Sequence, residues 1–249
     1  QPEKASGFCV YNDAAVAIAW IKKKYGARVL YIDTDAHHGD GVQSVFYDDP
    51  DVMVISIHES GNYLFPGTGS IFEQGRDDGF GTTVNIPMEP FTEDDSWISA
   101  LKSVVIPNAR MFVPDIIVSQ HGCDGHFLDP LTHLSLTMKS FKEVPAMIHE
   151  LAEQLCQGRL LVLGGGGYSL WQVVPRAWAL LWSTVSGRTL PDNLLESWLE
   201  KAQKECGENI PRTFSDSEDL VPKIARSEEI KEKNELTVSR IMRQSVSWL

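Results

Sequence analysis

Apolar residues along this chain gather into short continuous runs separated by longer mixed blocks. Residues 28–33 (RVLYID), 52–58 (VMVISIH), 115–120 (DIIVSQ) and 159–163 (RLLVL) have strand length and are rich in Val, Ile and Leu. They lack the strict alternation of a sheet with one wet face, so each reads as a strand covered on both sides. Residues 82–87 form a shorter candidate strand that a proline ends. Between them lie helical patterns. Asn12 is placed to cap a helix running to Tyr25, with Gly26 stopping it. Thr92 is placed to cap a helix through Ser103 or beyond, which Pro107 should end or kink. Residues 140–156 and 170–185 complete the helices. Strands alternating with helices predict an α/β protein with a central parallel sheet. In such sheets the functional groups lie at the carboxyl ends of the strands.

The character changes at about Pro191, which divides the chain into a candidate catalytic region, 1–190, and a charged C-terminal extension, 191–249. The segment 215–234 reads as a helix or a mobile surface extension and shows no chemistry of its own.

Composition narrows the class. The chain has 249 residues, 43% hydrophobic and 22% charged, a globular balance that fits one large α/β domain or two small ones. Lys and Arg total 22 against 34 Asp and Glu, a net charge of −12. That excess argues against direct nucleic-acid binding and favours a cationic partner or substrate. The four cysteines form no CxxC pair, which suits free thiols in a reducing, cytoplasmic setting. No apolar run reaches membrane-span length, and no secretory signal pattern opens the chain.

The strand at 28–33 leads into Asp33-Thr34-Asp35-Ala36-His37-His38-Gly39-Asp40. In an extended backbone Asp33, Asp35 and His37 would share a face, and two carboxylates with an imidazole crowd favourably around a cation. Hydrogen-bonding loop residues at a strand end are the plainer alternative. His38 would face away and serve structure. The strand at 115–120 leads into His121-Gly122-Cys123-Asp124-Gly125-His126-Phe127-Leu128-Asp129-Pro130. A carboxylate from this segment, joined to Asp35 and His37, gives three protein ligands with a position open, the arrangement of a catalytic zinc. Such an oxygen-rich set also accepts iron or cobalt. Cys123 reads as a small apolar filler, and His121 and His126 as loop or supporting residues. The third strand end, Gly164-Gly165-Gly166-Gly167-Tyr168, fails both common phosphate-loop spacings. It reads either as a close-approach turn aiming the Tyr168 phenol at a developing oxyanion, or as a buried tyrosine with a satisfied hydroxyl. Phe8 and Phe65 each stand in a glycine-bearing loop and together suggest two walls of a narrow slot.

The strings SGFCVYND (6–13), DTDAHHGDG (33–41), ISIH (55–58), FPGTG (65–69), QHGCDGHFLDP (120–130) and GGGGYSL (164–170) occur jointly and in order. The chain thereby resembles the zinc-dependent histone deacetylase family, in particular its class I branch and the bacterial acetoin-utilisation deacetylases. The resemblance reaches to about Gly187. It implies an arginase-like three-layer fold and hydrolysis of an N-acetyl amide on a lysine-like stem. By position it makes Asp35, His37 and Asp124 the zinc ligands and Tyr168 the oxyanion donor. Gly7, Phe8, Phe65, Leu131 and Gly166 become the substrate tunnel, with the Gly7 carbonyl accepting the substrate amide. Asp33, Ser56 and the carbonyls of Asp35, His37 and Ile57 resemble a structural potassium site, and a second cation site is implied around 46–52. Asp33 and Asp40 resemble carboxylates that orient a catalytic His-His pair.

In the family that pair stands a few residues before the SGF segment, and this sequence opens there with Gln1-Pro2-Glu3-Lys4-Ala5. The expectation is an N-terminally truncated deacetylase lacking the family's first third, inactive as supplied. The implied substrates are acetyl-lysine proteins or acetylated polyamines. The alternatives are an arginase-like ureohydrolase, which needs two manganese ions, and a non-catalytic acyl-lysine binding or scaffold module.

Overall fold

The computed structural model of the chain describes residues 4–207 and 209–246, so Gln1–Glu3 of the first candidate region and 247–249 of the second lie outside it. Five strands form one sheet: β1 Val29–Asp33, β2 Val52–Glu59, β3 Thr83–Met88, β4 Ile116–His121 and β5 Leu160–Gly164. Their order is β3-β2-β1-β4-β5, and every neighbouring pair is parallel. The chain therefore steps outward from β1 in one direction through β2 and β3, then in the other through β4 and β5. The reversal lies between β1 and β4.

Among the described residues the α-helices are α1 Asp13–Tyr25, α2 Asp40–Val45, α3 Asp94–Phe112, α4 Met138–Cys156, α5 Val174–Ser186, α6 Glu196–Cys206 and α7 Ser227–Val246. On one face of the sheet Ala14, Ile18 and Ile21 of α1 and Val42 and Phe46 at α2 pack on Val29, Tyr31, Val52, Val54 and Val118. On the other, α3, α4 and Ile241 of α7 cover Leu30, Ile32, Met53, Ile55, Ile86 and Ile117. Both faces of β1 and β2 are thus buried, which is why 29–32 and 52–55 are continuously apolar. A separate cluster, Leu199, Ala202 and Ile210, holds α6.

Local signals set most boundaries. The Asn12 side chain accepts from the Ala15 N–H at 2.9 Å, and Gly26 closes α1 in the left-handed conformation. Three helix ends differ from the sequence reading. Thr92 does not cap α3; its hydroxyl donates to the Glu89 carbonyl, and the helix starts at Asp94. Pro107 does not end it either. Leu101, Val104, Val105, Ala109 and Phe112 are all buried along one side, before and after the proline. Burying each large residue stabilises by about 1.5–3 kcal/mol, enough together to outweigh the ~3 kcal/mol proline penalty. Helix α5 begins at Val174 rather than near Leu170, with Pro175 in its first turn, where its missing N–H costs nothing.

The charged segment 215–234 is helical from Ser227 and is tied to the rest of the protein through Asn234 and Asp216, among other contacts. Asn234 is buried, accepting the Glu89 N–H and donating to the hydroxyls of Thr92 and Ser96. Asp216 is buried against Arg176 and His126. Among the described residues no helix is long and apolar enough to cross a membrane.

Candidate metal centre

The carboxyl ends of β1, β4 and β5, which are neighbours in the sheet, deliver three loops to one place. After β1 the backbone bends instead of continuing extended, so the alternation argument for Asp33, Asp35 and His37 does not hold. Two consecutive side-chain turns shape the bend: Asp33 Oδ1 accepts the Asp35 N–H at 3.1 Å, and Asp35 Oδ1 accepts the His37 N–H at 2.9 Å. Asp33 therefore turns away from the other two and takes the Tyr31 hydroxyl at 2.8 Å. Asp35 and His37 project toward the loop after β4, where Asp124 joins them.

One ligand atom from each of Asp35, His37 and Asp124 lies within 4.8 Å of the others. His37 Nδ1 stands 3.1 Å from Asp35 Oδ1 and 2.9 Å from Asp124 Oδ2. The remaining carboxylate oxygens are held by backbone donors. The Ala36 N–H reaches Asp124 Oδ1 at 2.9 Å, and the Gly166 N–H reaches Asp35 Oδ2 at 2.6 Å. Burial raises the Asp124 carboxyl to about 7, with the charge of Asp35 adding to the rise. Burial works against a charged His37, yet the Asp124 and Asp35 hydrogen bonds raise its ring to about 10. The pocket thus calls for positive charge between its two acids. Two oxygens and one nitrogen at this spacing fit a divalent transition metal, whose bonds to such donors are about 2.0–2.2 Å.

The glycine loop after β5 closes the site by approach. A Cβ on Gly166 would lie 2.2 Å from Asp124 Oδ2 and 2.8 Å from Asp35 Oδ2. On Gly122 it would lie 2.2 Å from Asp35 Oδ2. Only a hydrogen fits at either position. The loop carries Tyr168, whose ring meets Phe8 edge-on with centroids 5.9 Å apart. Burial, followed by the charges of Asp124 and Asp35, pushes its hydroxyl up to about 12, so it stays a donor.

Phe8 is 86% exposed, and Phe65 is exposed as well. A Cβ on Gly7 would lie 3.7 Å from the Phe65 ring, so both phenylalanine loops reach the same side. Leu131 is exposed, and its N–H is held by Asp129. Ile57 is core, and Ser56 shares its hydroxyl between His58 Nδ1 at 2.9 Å and the Gly39 N–H at 3.3 Å. Asp40 opens α2. His38 bonds Thr68 and Gln43, His121 bonds Ser119, and Cys123 is buried; all three serve packing and local structure.

Residue type and spacing do not single out Asp129 within the 120–130 string. It accepts the Leu131 N–H on one oxygen and the Tyr168 and Ser169 N–H groups on the other. His126 finds its partner in Asp216, 90 residues away at 3.1 Å, a contact no spacing rule could indicate.

The chain matches the histone deacetylase domain over residues 1–185. It is 54% identical over 239 residues to the acetoin utilization protein AcuC of Bacillus subtilis (strain 168), covering 96% of this chain and 62% of that protein. It is 46% identical over 248 residues to the AcuC of Staphylococcus xylosus, covering 99% of this chain and 63% of that one. An HDAC homolog crystallised with SAHA superposes with a TM-score of 0.78 at 31% identity, over 94% of this chain and 63% of that one. The HDAC homolog from Aquifex aeolicus gives 0.76 at 32%, over 93% and 63%. The chain thus spans about three-fifths of the length of these relatives.

Proposed function

The chain belongs to the histone deacetylase family, and on that footing we propose that it forms the catalytic centre of a zinc-dependent hydrolase of N-acetyl-lysine-type amides. The observation that carries the reading is the convergence of Asp35, His37 and Asp124 within 4.8 Å, beside a tyrosine kept protonated.

Asp35, His37 and Asp124 would hold the zinc, with iron or cobalt as substitutes. When bound, such an ion supplies Lewis-acid polarisation of an acyl carbonyl and a lowered pKa for water. The Tyr168 hydroxyl donates to the oxygen on which charge develops, an interaction typically worth about 3 kcal/mol. Phe8 and Phe65 flank the alkyl stem, Leu131 and Gly166 complete the slot, and the Gly7 carbonyl accepts the substrate N–H. Asp33 and Asp40 are assigned to orient the imidazoles that carry protons to and from the reacting centre. Asp33, Ser56 and the backbone carbonyls of Asp35, His37 and Ile57 are assigned to a structural potassium ion.

The substrate is an acetyl-lysine protein or an acetylated polyamine, and the net charge of −12 supports a cationic one. A cytoplasmic setting, with neither nucleic acid nor membrane as partner, belongs to the same proposal. The test is zinc stoichiometry and turnover of an acetyl-lysine peptide by the natural gene product, alongside Tyr168→Phe. One zinc per chain, with metal retained and turnover reduced about 100-fold in the variant, is the expected result. Two metals per chain would favour an arginase-type centre. Unchanged turnover in Tyr168→Phe removes that residue from the chemistry.

A further inference from the structure

We infer that Asp129 is the positioning residue that fixes Tyr168 relative to the substrate slot, a role that rests on the proposed deacetylase reading. Asp129 is only 7% exposed, yet its carboxylate contacts no cationic side chain in the hydrogen bonds and ion pairs of the described residues. Backbone donors take its place. Oδ2 accepts the Tyr168 N–H at 2.7 Å and the Ser169 N–H at 3.3 Å, while Oδ1 accepts the Leu131 N–H at 3.0 Å. One carboxylate thus bridges the loop after β4, which carries Leu131, and the loop after β5, which carries the phenol. The Tyr168 loop is also pinned at Gly166, by the Asp35 carboxylate and the Cys123 N–H, but Asp129 is the side chain that holds the Tyr168 N–H itself.

The bridge is itself held from behind. The Asp129 N–H donates to the His126 carbonyl at 2.8 Å. The His126 ring is fully buried and stacks on Phe127 and Phe141, with centroids 4.5 and 6.0 Å away. Its Nδ1 accepts the Leu128 N–H at 3.1 Å, so its proton sits on Nε2, where it donates to Asp216 Oδ2 at 3.1 Å. Asp216 also takes the Met138 N–H at 2.7 Å and Arg176 Nη1 at 2.9 Å. The segment before α7 therefore braces the loop that places the phenol.

Asp129→Asn is a sharp test, because an amide has one acceptor oxygen. It satisfies either Leu131 or Tyr168 and turns an N–H₂ against the other backbone donor. In the zinc-loaded natural protein the expected result is a kcat lower by about 30-fold with KM changed less than about 3-fold, since misplacing a reacting group by ~1 Å costs up to about 100-fold. Zinc stoichiometry should be unchanged. Added to Tyr168→Phe, the substitution should cost less than about 3-fold more, because both remove the same placed hydroxyl. A merely structural loss would instead multiply through. Unchanged kcat in Asp129→Asn, or full additivity with Tyr168→Phe, overturns the inference.

Amide hydrogen exchange at Tyr168 and Ser169 provides a readout independent of turnover. Both amides should be protected in the unsubstituted protein and exchange at least about 10-fold faster in Asp129→Asn. Should that variant fail to fold, a Tyr168 amide exchanging at open-loop rates in the unsubstituted protein refutes the tether by itself. Absence of turnover in the unsubstituted natural gene product, with these amides protected, strikes the deacetylase reading and leaves the tether standing.

Discussion

Gly166→Ala tests the metal centre through a single methyl group. The new Cβ would stand 2.2 Å from Asp124 Oδ2 and 2.8 Å from Asp35 Oδ2. An ordinary carbon–oxygen contact is about 3.3 Å, so something must yield by roughly 1 Å. The backbone cannot easily do so. The Gly166 N–H is bound to Asp35 at 2.6 Å, and its carbonyl accepts the Cys123 N–H at 2.6 Å. The carboxylates must move instead. Disturbing the support of a single ligand typically costs 10–100-fold in metal affinity, and here two ligands are displaced, so a loss of about 100-fold, or ~2.7 kcal/mol, is expected. The assay is zinc competition against a chromophoric chelator, with thermal melting in the absence of metal to separate stability from affinity. Gly187→Ala is the control. Its φ of +64° strains any side chain, but no atom lies within 4 Å of the added carbon. It should cost about 1 kcal/mol of stability and leave zinc affinity unchanged. Zinc bound by Gly166→Ala within threefold of the unsubstituted protein would mean that Asp35 and Asp124 are not the donors.

Three further outcomes follow from the structure. Burial raises the Asp216 carboxyl, but the His126 hydrogen bond, the Met138 N–H and the Arg176 charge outweigh it and hold it at about 2, below the ordinary 3.8 of an aspartate. This lowered group contributes about 2 kcal/mol that is fully present above pH ~4 and lost as pH falls toward 2. Urea unfolding of Asp216→Asn should accordingly show a shallower acid limb than the unsubstituted protein, and an identical limb would contradict the assignment. Asn234→Ala leaves the Glu89 N–H and the Thr92 and Ser96 hydroxyls without their buried partner, a loss of about 2–4 kcal/mol readable from the urea midpoint; a cost below ~0.5 kcal/mol would show that α7 is not pinned there. Chelation of bound metal should abolish turnover yet preserve the near-ultraviolet circular dichroism and cooperative melting, because the sheet core and the backbone donors to each ligand do not depend on the ion; loss of that signal would refute this.

Strands β1 and β2 were legible because they are buried on both faces, a state that leaves a direct trace in continuous apolar residues, whereas β5, equally rich in Leu and Val and expected to be covered on both sides, is only half-buried. The α1 cap was legible for a comparable reason, since Asn12 and Gly26 act within one turn of themselves. Helix α3 was misread where a local rule met a tertiary one: Pro107 is a breaker by itself, and only the buried residues on either side keep it in a helix. Asp35, His37 and Asp124 stand out as candidate metal donors by residue type and neighbouring motif, but an extended backbone is not what brings them together. Side-chain turns, not strand alternation, aim Asp35 and His37, and Asp33 is turned elsewhere. Asp216 left no trace in the sequence, because nothing near it distinguishes one buried acid among the exposed charges of 215–234.

The position of the centre follows from the strand order. At most points in a parallel sheet, the loops leaving two neighbouring strands turn to the same side and fill the space between them. Between β1 and β4 the chain departs in opposite directions, toward β2 on one side and β5 on the other, and a crevice is left open. Asp35 and His37 enter that crevice from β1 and Asp124 enters from β4. A crevice of this kind brings acids together but does not neutralise them. Here the groups that satisfy the two acids are backbone N–H donors, from His37 and Gly166 on Asp35 and from Ala36 on Asp124, while Asp35 Oδ1 and Asp124 Oδ2 face the His37 ring. Side-chain cations in those places would compete with a bound metal, whereas peptide dipoles fix the carboxylates and leave their charge available. The same device recurs at Asp129, where three peptide N–H groups hold the acid in place of a side-chain cation. The glycines follow from this requirement, because a peptide group can approach a carboxylate to 2.6 Å only where no side chain stands between them.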